Sequence, residues 1–218
     1  MKNKICYIVG AGENYGLNFT PSAGDFVIAA DAGIRYLEEH GVTADLVIGD
    51  FDSLNDIPMH PNTMALNAEK DDTDMLAAIR EGIKAGYSFF HIYCGMGGRI
   101  DHTIANLQVL AYLSENGMQG FLFGKDSVIT AITNQKMSFN KIPSGYISVF
   151  SHTEKAEGVY LRGLKYELTD AVLNNTFPLG VSNEFIGKES SISVSSGTLL
   201  IVLPKEVMGK IIDQKNYL

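Results

Sequence analysis

Two carboxylates stand one residue apart directly after a short apolar run, in the segment 48–53 (Ile-Gly-Asp-Phe-Asp-Ser). Asp50 and Asp52 can share a hard divalent cation, because Mg²⁺ takes one or two protein carboxylates and leaves its other positions to water and phosphate oxygens. A solvated acidic turn explains the pair equally well when it is taken alone, since Asp is common in turns. The segment is therefore a candidate metal half-site.

A second acidic cluster runs from Lys70 to Asp74 and precedes a helical pattern. Capping and the helix dipole alone favour aspartate in a first helical turn, so the cluster means little by itself. However, three carboxylates beside a lysine can hold a metal ion and a phosphate together. Asp50 and Asp52 are expected at the same edge of the sheet, which strengthens this interpretation.

Glycines fill a third segment, 95–102 (Gly-Met-Gly-Gly-Arg-Ile-Asp-His), between a predicted strand and a predicted helix. Glycine lets the backbone approach phosphate oxygens closely, and a helix N-terminus offers free N–H donors. Arg99 adds a planar guanidinium suited to phosphate, and Asn106 lies one helical turn beyond His102. The alternative is a flexible turn with a solvated Arg99, but three such segments at one sheet edge favour a phosphate site.

Gly10, Gly12 and Asp31 resemble the dinucleotide-binding fingerprint of NAD enzymes. That fingerprint needs a helix between the first two strands, whereas the available segment, 14–24, contains Pro21 and two glycines. We therefore expect a glycine loop near a nucleotide and no NAD site. The sequence also contains no P-loop, zinc motif or Gly-x-Ser-x-Gly elbow, so ATP would have to bind in another way.

Short β-rich runs alternate with helical patterns through about residue 125, which is typical of a parallel sheet covered by helices. The acidic segments 48–53 and 70–74 and the glycine-rich segment 95–102 each come after one of these runs. Since ligands bind outside the carboxyl ends of parallel strands, the three segments are expected at one binding site. The predicted strands are Ile5–Val9, Phe26–Ala30, Leu46–Ile48, Thr63–Leu66, Phe89–Cys94 and Gly120–Phe123. The predicted helices are Ile34–His40, Thr73–Ala85 and a third that begins at Asp101 or His102, ends at Asn116 and has Ile104 on its apolar face.

After about Asp126 the pattern changes to short strand-like runs separated by Gly, Pro, Asn and Ser turns. We therefore predict an α/β protein, in which a mostly parallel sheet with flanking helices in residues 1–125 is followed by a β-sandwich in residues 126–218. The predicted strands of this second half are Val128–Ile132, Ile147–Phe150, Val159–Leu161, Ser191–Val194 and Leu199–Leu203.

The composition narrows the class of protein. With 218 residues, 45% of them hydrophobic, the chain can bury a large core. A formal charge of −8 argues against a broad basic face for nucleic acid. The apolar run near the N-terminus is too short for a signal peptide or a membrane span. Cys6 and Cys94 lie inside strand-like runs without metal-type spacing, so we expect buried reduced thiols in a cytoplasmic protein.

These motifs, in this order and spacing, resemble the thiamine pyrophosphokinase family. The resemblance continues in the second half, although some relatives carry tryptophan where Tyr166 stands. It implies an α/β catalytic domain, a β-sandwich domain and a homodimer with thiamine sites between subunits. The motifs are Ala30-Asp31-Ala32-Gly33, Gly49-Asp50-Phe51-Asp52-Ser53, Lys70-Asp71-x-x-Asp74, Gly98-Arg99-x-Asp101-His102 with Asn106, Gly163-Leu164-Lys165-Tyr166 and Ser182-Asn183-Glu184.

The resemblance implies transfer of the diphosphate of ATP to the hydroxyethyl group of thiamine, with Mg²⁺ on Asp50, Asp52 and Asp74. Asp71 and Asp101 are the candidates to accept the hydroxyl proton or to orient the nucleophile, and the sequence does not decide between them. A magnesium-dependent phosphohydrolase and a non-catalytic nucleotide-sensing module are the alternatives. The remaining assignments are Asp31, Lys70, Arg99 and Asn106 to ATP, Arg99 also to catalysis, and Tyr166, Ser182 and Asn183 to thiamine.

Overall fold

The computed structural model describes residues 4–51, 60–67 and 72–212. The chain divides into two compact units. The first comprises Met1–Val109 and Met118–Gly124, and the second comprises Leu110–Gly117 and Lys125–Leu218. The predicted domain boundary between residues 125 and 126 stays a prediction.

The first unit contains a parallel sheet, as predicted. Within the described ranges it has six strands in the order β6-β5-β1-β2-β3-β4, and every neighbouring pair is parallel. Strands β1, β2, β3 and β6 are almost entirely buried, as expected for a parallel sheet covered by helices. The strands are β1 (Cys6–Val9), β2 (Phe26–Ala30), β3 (Leu46–Gly49), β4 (Thr63–Ala65), β5 (Phe89–Tyr93) and β6 (Gln119–Phe123).

In the described part of the chain, three α-helices follow strands of this sheet, namely α1 (Gly33–Glu39), α2 (Asp74–Lys84) and α3 (Ile100–Glu115). The Thr73 hydroxyl caps α2 by accepting a hydrogen bond from the Leu76 N–H at 3.2 Å. A Cβ at Gly82 would lie 2.9 Å from Cys6 Sγ, so this glycine lets α2 pack closely on β1. The prediction that Ile104 faces the core is wrong, because Ile104 is 54% exposed on α3.

The second unit is an antiparallel β-sandwich, which confirms the predicted fold class. In the described part of this unit the sheets have the orders β12-β9-β14-β7 and β11-β10-β13-β8-β15. A six-residue 3₁₀ helix, Lys205–Lys210, follows β14. The strands are β7 (Ser127–Thr133), β8 (Lys136–Phe139), β9 (Tyr146–Ser151), β10 (Lys155–Arg162), β11 (Leu168–Asn174), β12 (Gly180–Glu184), β13 (Ser190–Ser193), β14 (Thr198–Pro204) and β15 (Ile211–Ile212).

A hydrophobic cluster joins the two sheets of the second unit. Ile147 and Val149 of β9 and Ile201 of β14 belong to it, together with Phe139 of β8 and Leu161 of β10. Alternate residues along β9 and β14 are buried, as in a sheet with one face on the core. This core fixes the positions of the strand ends and loops that carry polar residues.

Both cysteines are buried and free, as the sequence analysis predicts. Burial raises the pKa of the Cys94 thiol to about 12, so the thiol is neutral and unreactive at physiological pH. Among the described residues, no helix is long and apolar enough to cross a membrane.

Candidate active site

A pocket of about 910 Å³ lies in the first unit, where β1, β2, β3 and β5 end. Ligands bind at this edge in open parallel sheets, because the loops that leave the strands converge there. Five residues assigned from the sequence line the pocket, namely Asp31, Asp50, Asp74, Arg99 and Asn106. Asp52, Lys70 and Asp71 lie outside the described residues.

Three carboxylates meet in this pocket. Asp31 follows β2, Asp50 follows β3 and Asp74 opens α2, yet one oxygen from each lies within 4.8 Å of the other two. All three side chains are partly buried. Oxygens at these separations suit a hard divalent cation that also keeps water and phosphate ligands. The family resemblance assigns Asp31 to ATP, so its place beside the predicted metal ligands is a finding of the structure.

The backbone turns sharply where the strands reach the pocket. Asp31, Phe51 and Cys94 each have a positive φ, at 52°, 59° and 52° respectively. This left-handed region is sparsely populated by residues other than glycine, and such residues cluster at functional sites. The Asp31 N–H donates to the Ile48 carbonyl at 2.8 Å, which ties the ends of β2 and β3 together.

Steric contacts explain why the loop after β1 contains glycines. The N–H groups of Gly10 and Gly12 donate to the carbonyls of Tyr93 and Cys94 at 2.9 and 2.7 Å. A Cβ at Gly10 or Gly12 would come within 2.8 or 2.7 Å of the Cys94 carbonyl oxygen. The loop can therefore lie against the chain that leaves β5 only with glycine at both positions. Within residues 10–25 there is no helix, which agrees with the rejection of the NAD fingerprint.

Asn106 of α3 holds the loop from residue 95 to 99 in place through a hydrogen bond. The buried Asn106 amide donates from Nδ2 to the Gly95 carbonyl at 2.6 Å. Gly97 and Gly98 then adopt positive φ values of 83° and 62°, which suit glycine at this turn. Asn106 thus lines the pocket and also fixes the loop that we predicted to approach phosphate.

Arg99 and Asp101 form a two-point ion pair. Nε and Nη2 of Arg99 donate to Oδ1 and Oδ2 of Asp101 at 3.2 and 2.6 Å. This pairing, together with the His102 N–H, lowers the pKa of the Asp101 carboxyl. A lower pKa makes a carboxylate a weaker base, and Asp101 is not among the residues that line the pocket. Its assignment as proton acceptor stays a prediction.

Glu13 and Asp72 also line the pocket. Asp72 belongs to the acidic cluster singled out in the sequence, whereas no motif pointed to Glu13. Glu13 accepts hydrogen bonds from the Tyr15 hydroxyl at 2.8 Å and the Gly98 N–H at 3.2 Å. The Tyr15 bond, more than the Gly98 bond, lowers the pKa of Glu13. Asp72 forms an ion pair with Arg80. The contact of Glu13 joins residues 85 positions apart, so no local pattern could reveal it.

The charge on the pocket wall is strongly negative. The described lining residues include five carboxylates, on Glu13, Asp31, Asp50, Asp72 and Asp74, against the one guanidinium of Arg99. A polyphosphate would be repelled by such a wall unless cations neutralised part of the charge. The arrangement therefore suits an anionic ligand that arrives with a divalent metal ion.

The residues assigned to thiamine lie in the second unit. Tyr166 is 58% exposed, whereas Asn183 is 3% exposed. Ser182 has a positive φ of 57°, and its N–H donates to the Ser148 hydroxyl at 3.0 Å. Lys165 bonds Glu184 at 2.6 Å and holds its ammonium 5.4 Å from the centre of the Tyr166 ring. Tyr166 is therefore a surface aromatic beside a neutralised charge pair.

Two family models match the chain. Residues 21–122 match "Thiamin pyrophosphokinase, catalytic domain", and residues 134–199 match "Thiamin pyrophosphokinase, vitamin B1 binding domain". The chain is 26% identical over 182 residues to the thiamine pyrophosphokinase of Bacillus subtilis, in a match that covers 80% of this chain and 85% of the relative.

Solved structures agree in fold. A thiamin pyrophosphokinase family protein from Enterococcus faecalis has a TM-score of 0.80 at 27% identity, covering 93% of this chain and 99% of the other. The thiamin pyrophosphokinase of Geobacillus thermodenitrificans has the same TM-score at 24% identity, covering 92% and 97%. The two family matches together span well over half of the sequence. The chain belongs to the thiamin pyrophosphokinase family.

Proposed function

We propose that this protein transfers the diphosphate of ATP to thiamine in the pocket of the first unit, and that Asp31, Asp50 and Asp74 hold the metal that the nucleotide needs. The observation that carries the proposal is the meeting of these three carboxylates, two at the ends of β2 and β3 and one at the start of α2. The pocket falls within residues matched by the catalytic-domain model, apart from the first loop.

Mg²⁺ fits this set of donors, because all three are carboxylate oxygens and the ion prefers hard oxygen ligands. Asp52, predicted as a further ligand, is kept in the proposal. When bound, Mg²⁺ would be held by these carboxylates and would supply positive charge that offsets the negative charge building up on the phosphates during transfer. The acidic wall supports a metal requirement, since the described lining residues offer one guanidinium against five carboxylates.

The protein groups then mainly position the reactants. Gly10, Gly12 and the loop fixed by Asn106 give phosphate groups close access to the backbone. Arg99 leaves its ion pair with Asp101 and donates hydrogen bonds from its planar guanidinium to the phosphates. We assign Lys70 to the phosphate charge that remains. Holding both substrates in line can supply a large part of the rate enhancement in phosphoryl transfer.

The reaction is a single displacement. The hydroxyethyl oxygen of thiamine forms a bond to the β-phosphorus of ATP, and the bond from that phosphorus to the α,β-bridging oxygen breaks, so that AMP leaves with that oxygen. The hydroxyl proton passes to a carboxylate, for which we keep Asp71 and Asp101 as alternatives. The pairing of Asp101 with Arg99 favours Asp71, because it lowers the basicity of Asp101.

Thiamine is assigned to the second unit, where the match to a vitamin B1 binding domain lies. Tyr166 offers an exposed aromatic face that can stack on the pyrimidine or attract the thiazolium cation. Ser182 and Asn183 complete this assignment. We further infer a homodimer with thiamine sites between subunits, acting in the cytoplasm and binding neither nucleic acid nor membrane, as the family resemblance and the acidic composition suggest.

An assay of AMP formed from ATP and Mg²⁺, with and without thiamine, tests the proposal. A thiamine diphosphokinase forms AMP only when thiamine is present. A phosphohydrolase would release phosphate regardless of thiamine, and a sensing module would bind nucleotide without turnover. Either of these results would overturn the proposed function.

A further inference from the structure

We propose that Asn183 is a positioning residue, whose buried side-chain amide fixes the backbone of Tyr166 and so holds the exposed tyrosine ring ready for thiamine. The inference rests on the proposed function, in which Tyr166 contacts thiamine. This role acts through Tyr166, and it replaces the direct contact with thiamine that the family resemblance assigns to Asn183.

The amide of Asn183 makes hydrogen bonds to both backbone groups of Tyr166. The Tyr166 N–H donates to Asn183 Oδ1 at 3.0 Å, and Asn183 Nδ2 donates to the Tyr166 carbonyl at 2.6 Å. The same Oδ1 also accepts the Glu184 N–H at 2.9 Å. A primary amide has one donor group and one acceptor side by side, so it matches the N–H and C=O of one residue.

The Asn183 amide continues the hydrogen bonding between the segments 164–166 and 183–185 where their backbone pairing ends. Leu164 forms an antiparallel bridge with Phe185, and the Lys165 N–H donates to the Glu184 carbonyl at 3.0 Å. The register of β12 shifts between Gly180 and Asn183, in a stretch where Ser182 has a positive φ. The next pair of backbone hydrogen bonds is replaced by the two that the Asn183 side chain makes to Tyr166.

Burial makes these hydrogen bonds selective for asparagine. Asn183 is 3% exposed, so a lost partner would leave a polar group shielded from water. Aspartate has the same shape but no donor, and it would place a negative oxygen beside the Tyr166 carbonyl. Asn183→Asp therefore breaks the pairing while it changes the volume of the side chain very little.

Fixing the backbone matters because the Tyr166 side chain is largely exposed, and the partner described for its ring is the flexible ammonium of Lys165. Tyr166 is 58% exposed and belongs to a short segment between β10 and β11. Binding a ligand to a mobile side chain costs conformational entropy, and a preorganised side chain avoids part of that cost. We expect loss of the amide pairing to weaken thiamine binding about tenfold without changing the requirement for ATP.

Two readouts test the proposal on the full chain. The sequence contains no tryptophan, so Tyr166→Trp introduces a single indole whose fluorescence anisotropy reports its local mobility without any ligand. Thiamine affinity and kinetics are measured in parallel for Asn183→Asp in the Tyr166 and Tyr166→Ala backgrounds. Asn175→Asp is the matched control, since it makes the same chemical change in an exposed turn of the same unit. If Asn183→Asp does not fold, Asn183→Ser is measured by the same criteria.

We expect Asn183→Asp to lower the anisotropy of the indole in the Tyr166→Trp background. In the Tyr166 background it should raise KM for thiamine about tenfold and leave kcat and KM for ATP nearly unchanged. In the Tyr166→Ala background it should change KM for thiamine less than about twofold. Equal losses in both backgrounds, or unchanged anisotropy, would overturn the positioning role. Absence of thiamine binding by the unmodified chain would instead refute the proposed function, while the anisotropy comparison would still decide whether Asn183 orders Tyr166.

Discussion

The carboxylates of Asp31 and Asp50 approach to within 4.8 Å of each other, although they follow different strands, β2 and β3. Two negative groups at this separation repel each other unless a cation lies between or beside them. The parallel register that pairs Ala30 with Ile48 brings the two strand ends level. The proximity of the two carboxylates is thus a direct result of the sheet topology.

Asp31→Asn should lower kcat at least about a hundredfold at saturating Mg²⁺, because the amide keeps the shape of a metal ligand and loses its charge. The backbone should tolerate the change, since asparagine is among the residues that adopt a positive φ most readily. Asp170→Asn is the matched control, because Asp170 also has a positive φ but lies on β11. Normal turnover by Asp31→Asn across a Mg²⁺ titration would remove Asp31 from the metal site.

Arg99→Lys should raise KM for ATP about tenfold or more, because lysine keeps the charge but loses the planar fork that grips two oxygens. KM for thiamine should change little. Steady-state kinetics with each substrate varied in turn separates the two effects, and Arg35→Lys on the exposed side of α1 is the control. A defect confined to thiamine would place Arg99 on the other side of the reaction.

Tyr166→Ala should weaken thiamine binding about tenfold and leave the melting temperature almost unchanged. Tyr166 is 58% exposed, so removal of its ring opens no core cavity. Tyr166→Phe should be mild, because the aromatic face remains. Calorimetric titration with thiamine checks this, with Tyr112→Ala on α3 as a control. A strongly destabilised alanine variant with normal thiamine affinity would contradict the ligand contact.

His91 should make the protein less stable in mild acid. Its ring packs against Tyr7, Phe121 and Phe123, with ring centres 5.5, 5.7 and 5.1 Å away. Burial lowers the pKa of His91 to about 4, and the Asp25 carboxylate opposes this only in part. Because the folded pKa lies below the unfolded value, the stabilisation is complete above the unfolded pKa and is lost as the pH falls from about 6.5 to about 4, by about 3 kcal/mol in total.

Urea unfolding at about pH 7.5 and about pH 5 measures this effect. The unmodified chain should lose about 2 kcal/mol more than His91→Phe over that range, because only the unmodified chain carries an imidazole at residue 91 that is neutral when folded and takes up a proton on unfolding. His40→Gln, at an exposed position, should behave like the unmodified chain. An identical pH dependence for His91→Phe and the unmodified chain would contradict the assignment.

Several features of the fold were accessible from local sequence. Buried strands such as Phe26–Ala30 are marked by continuous apolar runs, and Thr73 and Gly86 mark the ends of α2. Strands β11 and β12 were missed, because both are edge strands with exposed polar residues, and Asp170 and Ser182 interrupt their backbone with positive φ values. Their pairing depends on the partner strand more than on their own sequence.

Some residues of the candidate site could likewise be predicted from local sequence, and others could not. Asp50 and Asp74 stand out as acidic residues next to predicted elements, and both line the pocket. The place of Asp31 among the metal candidates depends on strand register, and the role of Glu13 depends on a contact between distant loops. Likewise, nothing in a single sequence shows that the Asn183 amide faces the backbone of Tyr166. Such contacts arise only when distant segments fold together.

The most direct test of the central claim follows an oxygen label through the reaction. ATP carrying ¹⁸O in the bridge between its α- and β-phosphates is converted with thiamine and Mg²⁺, and the label is located by mass spectrometry. Attack on the β-phosphorus predicts that AMP retains the bridging label and that thiamine diphosphate forms in equal amount without it. Label in the thiamine product, or AMP formed without thiamine diphosphate, would contradict diphosphate transfer by this enzyme.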